Sequence, residues 1–159
     1  MDGAKAPTEY EIHRRDAEAR RRQIAPGHAV GVTEPMIAEL VHAFYAKARA
    51  DDLVGPIFEA AIADWDEHLA KLCDFWSSVT LMTGRFKGAP MPAHARLPGL
   101  DRGHFARWLE LWRATAQEVC PPAAAALFIA RAEMIARSFQ YGLAVVRGEL
   151  PSKAQAALD

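Results

Sequence analysis

The chain has few cysteines, no long apolar run and no excess of either charge. Its two cysteines, Cys73 and Cys120, stand alone in the sequence. No Cys-x-x-Cys redox pair and no cysteine-rich zinc site is therefore available. Two free thiols in a reducing cytoplasm are a simpler reading than a bridge between them. The longest apolar run, residues 123–130, is far too short to span a bilayer, and the first residues lack the hydrophobic stretch of a signal peptide. A cytoplasmic location with no membrane partner is the expectation. Lysine and arginine number 19 against 20 aspartate and glutamate, a net charge of -1 that offers no field to nucleic acid. There is no His-x-x-x-His pair, no repeated Glu-x-x-His, no Gly-x-Ser-x-Gly elbow and no phosphate-binding glycine loop. The usual signatures of zinc proteases, di-iron bundles, α/β hydrolases and nucleotide-binding folds are thus missing. Nor does any segment alternate with period two long enough to be a convincing strand.

What remains is helical. With 159 residues, 51% hydrophobic and 25% charged, the chain fits one domain around one sizeable core. Residues 1–30 form a charged N-terminal extension in which Glu9, Glu11, Asp16 and Glu18 are mixed with five arginines. It reads as a solvated helix or arm, closed by Pro26 and Gly27. A helical domain is expected over 31–147, followed by a short C-terminal tail over 148–159. Thr33 caps a first strong helix carrying Ile37, Leu40, Val41, Phe44, Tyr45 and Ala48 at helical spacing, and Asp51, Asp52 and the Gly55-Pro56 pair end it. Asp64, with Glu67 three residues on, starts a second in a capping-box-like way. There His68, Leu72, Phe75 and Val79 form a narrow apolar stripe. From Thr83 to Leu100 glycines and prolines break the pattern. Asp101 caps a third helix with Phe105, Trp108, Leu109 and Trp112 on one face. Pro121-Pro122 ends that helix, and a fourth runs from about Ala123 to Val146. The long irregular stretch between the second and third helices has the length of a loop that serves a site.

Of six histidines, His13 and His28 lie in the extension, His42 on a polar helix side and His104 at a helix start. All four read as surface residues. His68 faces the core and His94 sits in the irregular loop. Alone, His68 reads as a core histidine and His94 as an ordinary loop residue. Together, in an apolar helical chain, they have the placing of the two sides of a haem pocket. Such a pocket needs one axial nitrogen, a flat apolar slot and a controlled ligand side. Bound O2 carries partial negative charge, so the ligand side needs donors. A tyrosine hydroxyl and a tryptophan N–H qualify, and Tyr45 and Trp108 lie on apolar faces. The plainer reading makes both amphipathic core residues.

A linked series of motifs weighs against the plainer reading. Ala43-Phe44-Tyr45, Gly55-Pro56-Ile57-Phe58, Trp65-Asp66-Glu67-His68, Phe75-Trp76, Thr83 to Pro90, His94 and His104 to Leu109, in this order, resemble the truncated haemoglobins, most closely their third group. The resemblance runs from about residue 33 to 143. It implies a two-over-two helical sandwich around haem b. It makes His94 the proximal iron ligand, Tyr45 and Trp108 the distal donors, and His68 a distal lining or gating residue. Phe58, Leu72 and Phe75 become haem-wall positions. That group lacks the Gly-Gly turns of its relatives, and this chain has none. The implied function is binding of O2, NO or another diatomic ligand. Peroxidase-like or nitric oxide dioxygenase-like turnover would require an external reductase, since the chain carries no flavin or nicotinamide motif. A monomer or weak homodimer is expected. The competing reading is a haem-free, globin-like interaction module.

Overall fold

Side-chain caps start the principal helices where the sequence places them. The Thr33 hydroxyl accepts from the Met36 amide (3.3 Å), and the Asp64 carboxylate accepts from the Glu67 amide (3.0 Å). Asp101 accepts from the His104 amide (3.2 Å), while the His104 ring meets the Asp101 amide in return (3.2 Å). Each such cap stabilises its helix by about 1 kcal/mol. The computed structural model describes residues 6–90, 97 and 99–149. Its helices are α1 (Glu9–Ile24), α2 (Pro26–Ala29), α3 (Glu34–Ala50), α4 (Gly55–Ala61), α5 (Trp65–Leu81), α6 (Arg102–Val119) and α7 (Pro122–Val146), with no strand among the described residues.

α3 packs on α5, and α6 packs on α7. The two pairs cross through α3 on α6 and α5 on α7, giving a two-over-two sandwich. Ile37, Leu40, Val41, Phe44 and Ala48 of α3 are fully buried between the pairs. The chain turns from α6 into α7 across Cys120 and Pro121 alone, which brings α7 back against α6. Trp112 of α6 is the centre of the core. Its ring stacks on Trp76 (centroids 4.5 Å apart, 16° between planes) and on Trp108 (5.9 Å, 11°). Its indole N–H donates to the Phe128 carbonyl (3.2 Å). Burial of Trp112, Phe44 and Phe128 supplies much of the apolar driving force, at about 25 cal/mol per Å² removed from water.

Three local features differ from the sequence reading. Pro26 and Gly27 do not merely close the extension. They begin α2, because proline fits a first helical turn. Gly27 lets α2 lie against α5: a Cβ there would stand 2.6 Å from the Thr80 carbonyl oxygen. The first strong helix ends at Ala50 with Asp51 as its C-cap, and Gly55-Pro56, past that end, opens α4, too short a helix to show periodicity. At Asp64 only half of the expected capping box forms, since the Glu67 carboxylate pairs with Lys71 (2.8 Å). The charged extension is a helix over Glu9–Ile24 with no buried residue, held by a Thr8–Glu11 capping box and resting on α2. No described helix is long and apolar enough to cross a membrane.

Candidate functional site: an apolar cavity between the helix pairs

α3, α4, α5, α6, α7 and the segment 85–90 enclose a cavity of about 600 Å³. That size is typical of a buried small-molecule or cofactor site. Its walls are mainly apolar, with Leu72 and Phe75 from α5, Phe58 from α4, Phe105 from α6, and Ile135 and Phe139 from α7. Helical spacing explains why α5 serves the cavity: His68, Leu72 and Phe75 recur on one face and turn inward together.

Tyr45, His68 and Trp108 converge on this cavity from three helices. Tyr45 is 6% exposed. Its ring meets Phe44 edge-on at 4.8 Å, Phe58 at 5.4 Å and His68 at 5.7 Å. Burial pushes its phenol well above the ordinary value of 10.0, so it remains a protonated O–H donor at any physiological pH. His68 is half-buried and packs edge-on against Trp65 (5.8 Å). Behind it, the Arg49 guanidinium lies over the Trp65 ring at 4.2 Å and is held by Glu59 (2.7 Å). Trp108 is half-buried and aligned by its stack on Trp112. The structure therefore brings together Tyr45, His68, Trp108, Phe58, Leu72 and Phe75. His94 lies outside the described residues.

The segment after α5 is fastened to that helix. Met82 takes a left-handed conformation (φ 54°), which stops the helix. The Phe86 amide then donates to the Ser78 hydroxyl (2.9 Å), and the Phe86 ring packs edge-on to Phe75 (5.2 Å). This puts Arg85 and Lys87 on the cavity rim, with Lys71 of α5. The rim is thus rich in cations and the interior is apolar. Arg85 and Lys87 lie in the Thr83 to Pro90 motif, where nothing in the sequence gives either a role. Their signal in the sequence is two basic residues flanking Phe86, just past the apolar stripe of α5.

One reading needs correction. His104 is not a plain surface residue: its side chain is 16% exposed and lines the cavity. The capping box with Asp101 draws its ring back along the helix start, over the cavity rim. His13, His28 and His42 are exposed as expected. Among the described residues, no three His, Cys, Asp or Glu side chains gather as a metal site.

Two pairs of helices clasping one apolar cavity define the class of two-over-two globins. No family model matches the chain. Over 113 residues it is 35% identical to the group 3 truncated hemoglobin ctb of Campylobacter jejuni, a match spanning 69% of this chain and 89% of that protein. The crystal structure of the group III truncated hemoglobin from Campylobacter jejuni aligns with a TM-score of 0.67 at 35% identity, covering 70% of this chain and 91% of that one. The chain belongs to the group III truncated haemoglobin family.

Proposed function

We propose that the cavity holds haem b, with His94 as the proximal ligand, and that the protein binds O2 or related diatomic ligands there. The observation that carries this reading is the donor set. Tyr45, a phenol kept protonated by burial, shares an apolar cavity with His68 and Trp108. The cavity also fits the group by its lining. Phe58, Leu72 and Phe75 offer apolar contacts, and the cations Lys71, Arg85 and Lys87 outnumber the one acid among the described lining residues, Asp74, which suits the charge of two carboxylates. When bound, haem supplies the metal centre at which a diatomic ligand is held. The chain's own residues orient the group, exclude water, and donate hydrogen bonds to the ligand's partly negative end. Tyr45 and Trp108 are the donors. His68, packed edge-on against Tyr45 and Trp65, lines the ligand side, where it either joins these donors or acts as a gate.

A polar ligand side also suits reaction with nitric oxide or peroxide. That activity depends on an external reductase. Steady turnover without an added reductant would exclude this version.

The absorption spectrum of the purified protein tests the main reading. A Soret band is expected, lost in His94→Ala. Stoichiometric haem with an unchanged spectrum in that variant would refute the proximal role of His94. A wild-type protein with no Soret band after haem addition would favour the haem-free interaction module.

A further inference from the structure

Ser77 is a fully buried hydroxyl, 0% exposed, in the last turns of α5 and outside the cavity. Burying a hydroxyl is unfavourable unless its hydrogen bonds are made. Here they are made in one direction. Ser77 Oγ donates to Glu34 Oε1 (2.7 Å), because a carboxylate only accepts. The Ser77 proton is then used, so Thr83 Oγ1, 2.8 Å away, must be the donor to Ser77. Glu34 Oε1 also takes Arg85 Nη1 (3.1 Å). Four residues from three segments are joined in one chain of bonds: Thr83 to Ser77, Ser77 to Glu34, and Glu34 to Arg85.

The end of that chain lies at the cavity. Arg85 lines the rim, and a guanidinium has five N–H donors, of which the Glu34 contact engages only part. As a stabilising ion pair the contact is weak, since Arg85 and Glu34 side chains are 51% and 37% exposed. Its effect is geometric. Glu34 opens α3, where the helix dipole favours a negative charge and the backbone is rigid. It therefore gives Arg85, which sits on a loop, a fixed bearing on the cavity.

We propose that Glu34 is a positioning residue, held by the buried Ser77, that aims Arg85 at a carboxylate of the haem. This rests on the haem reading above. The test is the rate of haem transfer to an excess of an apo-globin acceptor, measured with native haem and with haem whose carboxylates are esterified. Glu34→Gln keeps an acceptor for Ser77 but removes the charge that holds Arg85. With native haem it is expected to speed haem loss by about three- to tenfold, a fraction of what a charged hydrogen bond contributes. With the ester the difference from wild type should vanish. Glu34→Gln combined with Arg85→Ala should lose haem no faster than Arg85→Ala alone. Ser77→Ala should show a smaller rise in the same sense. A Glu34→Gln rate equal to wild type with native haem overturns the proposal. So does a speed-up that persists with the ester, which would mark a general packing role. If the wild-type chain takes up neither form of haem, the haem reading itself fails and this proposal falls with it. Uptake of both forms by every variant, with equal rates, sinks the positioning role alone.

Discussion

Replacing Tyr45 by phenylalanine removes one oxygen and little else. The ring contacts with Phe44, Phe58, Trp65 and His68 remain, so no cavity opens in the core. Tyr45 lines the cavity, so loss of the hydroxyl is felt there rather than in the packed core. Folding stability near neutral pH should therefore change by less than about 1 kcal/mol. The ligand should feel the change fully. A hydrogen bond to a partly charged acceptor contributes about 1.5–3 kcal/mol, which is about 10- to 100-fold in a rate if felt on dissociation. O2 dissociation measured by stopped flow, with carbon monoxide as trap, should speed up within that range. Trp108→Phe should act in the same sense. Unchanged O2 off-rates in both variants, alone and combined, would refute the assignment of these groups as donors. The same phenol leaves a mark at alkaline pH. Its folded value is raised above the unfolded one near 10, so its stabilising effect is complete below pH 10 and is lost as pH rises toward the folded value. Over that window stability should fall by up to about 1.4 kcal/mol per pH unit, and Tyr45→Phe should remove this component.

Other outcomes follow from the packing and the charges. Trp112→Ala empties the centre of the core and should cost about 3–5 kcal/mol in a urea titration. A loss under about 1 kcal/mol would contradict the stacked arrangement. The Asp51 carboxylate sits below the usual carboxylate range, chiefly because it accepts from the Val54 amide, with Arg107 and the Leu53 amide adding to the effect. A lowered folded value means that its stabilisation is present above the unfolded value and is lost as pH falls. Asp51→Asn should therefore flatten the acid limb of the pH–stability curve, and an unchanged limb would exclude this role. Burial, helped by Glu39, pushes the Cys120 thiol up to about 11. At pH 8 a thiol reagent should label Cys120 slowly until the protein is unfolded, whereas fast labelling of the native chain would contradict its burial.

α3, α5 and α6 were legible in the sequence because each carries an apolar stripe and a capping residue, whereas α7 was legible from its apolar spacing after Pro121-Pro122 without a side-chain cap. α3 begins after Thr33, α5 after Asp64 and α6 after Asp101, as their caps imply. α2 and α4 were not legible. A single short turn has no periodicity, and Pro26-Gly27 and Gly55-Pro56 signal a stop as readily as a start. The cavity-facing side of α5 could be read from the spacing of His68, Leu72 and Phe75. Tyr45 and Trp108 could be placed on apolar faces, but only tertiary packing decides that those faces share one space. His104 was misjudged because its inward turn depends on a reciprocal bond to Asp101, not on its position in the apolar pattern. Arg85 was missed for a related reason. Its bearing is set by Glu34, which is far away in sequence and joined to it only through the folded contact.

Three of the chain's four tryptophans, Trp76, Trp112 and Trp108, form one nearly parallel column whose members all line the cavity. Indoles so close and so aligned share their excited states. The column is thus a built-in optical gauge. Its near-ultraviolet circular dichroism should report the tightness of the core, and its emission should be quenched when a light-absorbing group enters the adjoining space. Filling of the cavity and loosening of the helix pairs can then be followed as separate signals in one unlabelled sample.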